Sequence, residues 1–120
     1  MKNRVLLFDK SSQGVDLKKV KELAIKILKE ADLTRVELSL VMLGEDEARQ
    51  LNMDYRKMEY IPEVLAFPLT KEEVDEDGWT RLGDIVLCVD EWKREMKSRG
   101  GEKWKIVEEW LRHALKNLLK

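Results

Sequence analysis

Between residues 36 and 43 the apolar side chains alternate, and yet both sides of the alternation are oily. Val36, Leu38, Leu40 and Met42 point one way, while Ser39, Val41 and Leu43 point the other. A strand wetted on one face keeps a polar residue at every second position. One that is apolar on both must be covered above and below, so this segment reads as a central strand of a sheet with material packed on each side. The residues just before it supply one cover. Leu17, Val20, Leu23, Ala24, Ile27, Leu28 and Ala31 recur at helical spacing, with lysines on the opposite side and Asp16 placed to cap the first turn.

The remaining elements follow from changes of period and from breaker residues. The run RVLLF at 4–8 is short and β-prone, and Ser11, Ser12 and Gly14 interrupt it, which predicts an opening strand and a turn. Acids at 45–47 open a second helix, where the helix dipole favours them, and Ala48, Leu51 and Tyr55 form its inward side. Pro62 closes that unit. Residues 64–67 followed by Pro68 predict another strand, 71–78 an exposed acidic loop, and 82–88 the last strand. A helix over about 90–99, a break at Gly100 and Gly101, and a final helix with Trp104, Val107, Leu111, Leu115 and Leu118 inward complete the chain. The expected fold is α+β, a small mixed sheet of about four strands covered by helices, in a single domain over 1–120. No repeat, linker or low-complexity segment is visible.

Charge and cysteine content narrow the function. With Lys+Arg 23 against Asp+Glu 24 the net charge is -1, so the chain does not hold nucleic acid by bulk charge, and any RNA contact must be a local patch. Lys93, Arg94, Lys97, Arg99 and Lys103, around the Gly100 turn, form the best such patch; they either track an RNA backbone or make up a solvated helix face. Cys88 is the single cysteine, which precludes an internal bridge and fits a small buried side chain better than a nucleophile. With no apolar run of membrane-spanning length and no leader-like opening, the expectation is a cytoplasmic protein with neither a membrane nor a disulfide-linked partner. Charged residues at 39% with Pro 2 and Gly 6 suggest the ion-paired surface of a thermophile protein or of a designed one. Neither a G-x-S-x-G turn nor a phosphate-binding glycine loop is present. Of the four tryptophans, Trp104 belongs to the core stripe, and Trp79 is the candidate for an exposed stacking surface.

Three stretches, in order, carry a resemblance. Leu51, Asn52, Tyr55 and Arg56, followed at fixed distance by Val64, Leu65, Phe67 and Pro68, match a pattern L-N-x-x-Y-R then P-T-D-V-L-S-F-P. Residues 82–86 read L-G-D-I-V, and His113 falls in register on the first histidine of an H-G-x-x-H helix motif. Together these resemble the YbeY family, small bacterial proteins of ribosomal RNA maturation. The resemblance implies a metalloprotease-like single domain, a zinc-dependent endoribonuclease activity on single-stranded RNA, and RNA or a ribosomal component as partner. It assigns His113 to the zinc and Arg56 to the cleft beside it, as a phosphate contact. Ile61, Glu63, Ala66 and Ala114 stand where the family has Pro, Asp, Ser and Gly.

The departures that touch chemistry are larger. Asn117 occupies the place of the second histidine, and the third would follow Lys120, so the chain is expected to lack the family's C-terminal zinc loop. Histidines at i and i+4 share a helix face and can grip one ion, to which a third ligand and an open position add a catalytic site. A neutral, hard amide oxygen does not replace an imidazole on zinc. The expectation is therefore a compromised zinc site and impaired or absent cleavage, with Glu109 as the one carboxylate at helical spacing able to assist His113. Alternatives stay open: His113 as an ordinary helix histidine, Arg56 in a surface ion pair with Asp54 or Glu59, and the whole chain as a non-catalytic RNA- or ribosome-binding module or as a pared-down or engineered scaffold.

Overall fold

The computed structural model describes residues 2–120 apart from 75 and 101, with the side chains of 69–74, 99 and 103 also outside the described set. Four strands and four helices follow one another: β1 (Arg4–Asp9), α1 (Leu17–Glu30), β2 (Val36–Leu43), α2 (Glu45–Arg56), β3 (Val64–Val74), β4 (Thr80–Cys88), α3 (Val89–Arg99) and α4 (Lys103–Leu118). The sheet order is β1-β2-β4-β3. β1, β2 and β4 run parallel, and β3 returns antiparallel to β4 along one edge. This is the α+β architecture with a small mixed sheet that the sequence implies.

β2 lies between two neighbours, as its two apolar faces require. Leu38, Leu40 and Met42 are buried against α1, α3 and α4 in the main core, together with Val20, Leu28, Ile85, Ile106 and Leu111. On the other face a smaller cluster of Leu43, Ala48, Leu65, Val86 and Cys88 sits under α2. α1 starts where Asp16 accepts a hydrogen bond from the Lys19 N–H at 3.1 Å. α2 starts differently: its first N–H, that of Glu45, donates to the Asp90 carboxylate on α3 at 2.7 Å, and the other Asp90 oxygen accepts from Gln13 Nε2 at 3.1 Å. One side chain thus caps a helix and ties two connections together.

The expected loop over 71–78 is corrected. β3 continues to Val74, and Glu73 and Val74 pair with Arg81 and Thr80. Thr80 and Arg81 pair on their other side with Val36 and Glu37 of β2, so the extension runs along the edge of the sheet, and backbone pairing outweighs a charged, loop-like sequence. The register shifts between Pro68 and Glu73. There Gly83, at φ +131°, passes so close to β3 that an added Cβ would lie 2.3 Å from the Phe67 carbonyl oxygen. The glycine of the L-G-D-I-V stretch is an architectural requirement. No helix among the described residues is long and apolar enough to cross a membrane.

Candidate functional site

Where α2 ends, the chain enters a tight turn. Lys57 adopts the left-handed conformation, and its N–H donates to the Met53 carbonyl. The loop that follows is held by Asn52, a fully buried side chain whose Nδ2 donates to the Tyr60 carbonyl at 2.9 Å. Its Oδ1 is buried with no partner among the described residues. The Glu63 carbonyl then accepts from the Cys88 N–H at 3.0 Å, which delivers the chain to the start of β3 at the carboxyl end of β4. Tyr55 packs edge-on against Phe67, centroids 5.5 Å apart, and the Arg56 guanidinium lies 5.9 Å from the centre of the Tyr60 ring.

α4 crosses above the first residues of β3 and brings the histidine to this place. Ala114 and Leu111 are buried beneath it, so His113 faces outward and Asn117, one turn on, is half-buried beside it. Two adjoining depressions result. One, of about 470 Å³, is lined by Arg56, Ala66, Phe67, His113 and Asn117 among others; the second, of about 520 Å³, shares Arg56, Val64 and His113 and adds Tyr60, Glu63, Glu91 and Glu109. Among the described residues, Arg56 makes no ion pair with Asp54 or Glu59. The structure therefore brings together three residues that are 57 to 61 positions apart in the sequence, Arg56 with His113 and Asn117, in one cleft.

The charged residues around the Gly100 turn are disposed differently. Arg94 donates to both Glu45 and Glu91, and those two carboxylates, Glu45 first, push its pKa further above the ordinary arginine range. Lys93 Nζ donates to Gln13 Oε1 at 2.5 Å, and Lys97 is exposed. The side chains of Arg99 and Lys103 lie outside the described residues. None of Lys93, Arg94 and Lys97 lines the cleft. Trp79 is not the open stacking surface expected of it: it is half-buried, with the Arg4 guanidinium 4.0 Å above its ring and that of Arg35 at 5.7 Å. Trp104 leans on Trp92 at the core, as expected. Cys88 is buried, and that desolvation raises its thiol pKa, which keeps it protonated and unreactive at neutral pH.

As a zinc centre the cleft is incomplete in its donor set. His113 and Asn117 offer it one imidazole and one amide, and no group of three or more His, Cys, Asp or Glu among the described residues is arranged to hold a metal ion. Sequence reasoning named Asn52 only as a motif residue and did not single out Tyr60; the two tie the loop that follows α2, and the Tyr60 ring lies beside Arg56. The asparagine stood inside the motif, but only its full burial reveals that it acts on the loop rather than on a ligand.

A four-stranded mixed sheet covered by helices, with an arginine and a histidine meeting in a cleft at the carboxyl end of its central strands, defines a small α+β protein with a candidate polar site. Comparison with known proteins makes this specific. The family model described as Endoribonuclease YbeY matches residues 7–118. The Endoribonuclease YbeY of Aquifex aeolicus is 33% identical over 118 residues, covering 98% of this chain and 76% of the relative. That of Mesoplasma florum is 33% identical over 63 residues, where the match spans 51% of this chain and 37% of the relative. The solution structure of TM1509 from Thermotoga maritima shares the fold, with a TM-score of 0.67, 22% identity, and coverage of 97% of this chain and 72% of that one. The chain belongs to the YbeY family.

Proposed function

We propose that the chain seats single-stranded RNA in the cleft between the end of α2, the start of β3 and α4, in the service of ribosomal RNA maturation in the cytoplasm, and that its cleavage step is weak or absent. The observation that carries the reading is the convergence of Arg56, His113 and Asn117 on one cavity. Arg56 presents a planar fork of N–H donors at the end of a helix, a shape that accepts phosphate oxygens two at a time. His113 both accepts and donates a proton, and the Asn117 amide offers a neutral donor and acceptor to a ribose or a base edge. Phe67 and Tyr55 give the cavity an aromatic wall on which a splayed base can stack.

Asn117 favours a binding role over a hydrolytic one. An amide in place of an imidazole one turn from His113 weakens the grip on zinc, and this is what supports binding by Arg56 as the leading role and metal chemistry as the lesser one. Two measurements test the reading. In a titration with single-stranded RNA, Arg56→Ala should weaken binding about tenfold or more, the worth of a charge-assisted hydrogen bond. Metal analysis of the purified protein should find no stoichiometric zinc. Unchanged RNA affinity in Arg56→Ala would overturn the cleft assignment; stoichiometric zinc that disappears in His113→Ala would restore a full hydrolytic role.

A further inference from the structure

At the opposite end of the sheet, where β1, β2 and β4 begin, lies a second depression of about 640 Å³. Its lining is Lys2, Asn3, Arg4, Ile25, Lys29 and Trp79: three cations, one aromatic ring and no carboxylate. In a chain with slightly more acids than bases, a lining whose charged residues are all cations is a local departure from the average surface. Lys2 and Lys29 are exposed, and neither has an ion pair among the described residues. Arg4 is held in place. Its guanidinium is stacked 4.0 Å over the Trp79 ring and lies 3.4 Å from Glu37, a carboxylate that Arg81 also approaches at 3.9 Å. A guanidinium stacked on a ring has its plane fixed by that ring and is pre-organised to offer an N–H edge to an anion.

We propose that this pocket is a second contact for the RNA strand, holding a backbone phosphate between Lys2, Lys29 and Arg4. The choice of ligand rests on the RNA reading of the cleft. The pocket itself is independent of it, and shares no residue with the cleft. A polyanion suits the geometry better than a small anion. Val64 of the cleft pairs with Leu87, and Trp79 of the pocket adjoins Thr80, seven residues back along β4, or about 23 Å at the rise of a strand. A strand with a phosphate at every nucleotide can reach both. Trp79 has a positioning role here, fixing the guanidinium plane instead of stacking a base.

The test is the salt dependence of binding of the full chain to a long oligouridine. Each phosphate contact on a single strand contributes about 0.7 to the slope of log affinity against log salt. Lys2→Gln/Lys29→Gln should therefore lose about 0.7 of that slope, the worth of the one phosphate, and bind several-fold more weakly at low salt, with its melting curve unchanged because both side chains are exposed. Lys18→Gln/Lys105→Gln, the same change in net charge at exposed sites outside both cavities, should move the slope far less. If the two double variants behave alike, the effect is bulk charge and the pocket proposal falls. It falls also if Lys2→Gln/Lys29→Gln binds like the unsubstituted chain, or if polyglutamate occupies the pocket more tightly than the RNA does, which would mark an acidic protein surface as the partner. Failure of the cleft reading is seen separately, as an Arg56→Ala variant with unaltered RNA affinity.

Discussion

Gly83→Ala is the sharpest probe of the architecture that supports the cleft. At φ +131° any L-side chain is strained, a cost of about 1–3 kcal/mol. Crowding adds to it. The new Cβ would sit 2.3 Å from the Phe67 carbonyl oxygen, against 3.4 Å or more in ordinary contact, and the obstacle is backbone rather than a side-chain tip that can swing aside. β3 must therefore retreat by about an ångström, which weakens the ladder bonds on either side by roughly 0.5–1.5 kcal/mol each. The sum is about 2–6 kcal/mol, with about 3–4 kcal/mol near its centre, a large part of the 5–15 kcal/mol typical of a domain. At roughly 4 °C per kcal/mol for a chain of this size, the melting midpoint should fall about 12–16 °C. Gly14→Ala is the control. Gly14 also has a positive φ, +67°, but nothing lies within 4 Å of its added Cβ, so only the conformational cost of about 1–2 kcal/mol applies. Thermal and denaturant unfolding of both variants gives the comparison. Equal losses at the two positions would refute the crowding argument and leave the β3–β4 approach without consequence.

Two further predictions follow from the same structure. Asp90→Ala removes the acceptor for the Glu45 N–H and for Gln13, so it should cost about 1–2 kcal/mol in unfolding measurements, more than Gln13→Ala, which leaves the α2 cap intact. Glu108 receives a hydrogen bond from Lys26 at 2.8 Å, which holds its carboxyl below the ordinary range. A folded-state pKa lower than the unfolded one gives stability that is present above about pH 4.5 and lost as pH falls through the folded value, so Glu108→Gln should flatten the acid limb of the stability curve and leave stability near pH 9 changed only by a constant.

What could be read from the sequence was what local pattern decides. The doubly apolar β2, the α1 stripe with its Asp16 cap, and the acids opening α2 each depend on neighbours within a few residues. The extension of β3 was hidden because its residues 71–74 are mostly charged, a composition that reads as a loop until the partner strand is known. Long-range contacts were hidden as well. That Asp90 caps α2 from α3, that Arg94 meets Glu45, and that Arg4 covers Trp79 are facts about residues 45, 49 and 75 positions apart. In the cleft, the motif spacing gave Arg56 and His113, but the loop anchor from Asn52 to Tyr60 required knowing that Asn52 is fully buried.

The parts of the motifs that match the family most closely turn out to be architectural. Leu51 packs in the small core, Asn52 tethers the loop, Gly83 gives clearance to β3, and Ile85 and Val86 are buried. Selection on any of these positions is selection on the fold. Arg56 and His113 are exposed and Asn117 half-buried, and none of the three makes a hydrogen bond or ion pair among the described residues that the fold depends on. Such positions are free to change chemistry without a cost in stability. It follows that strong similarity to the family fixes what the chain looks like and says much less about what it catalyses. Asn117→His should accordingly leave the melting midpoint within a few degrees, and it places a second imidazole one turn from His113, so that any gain in zinc affinity it brings is a direct reading of the donor set and not of a repaired fold.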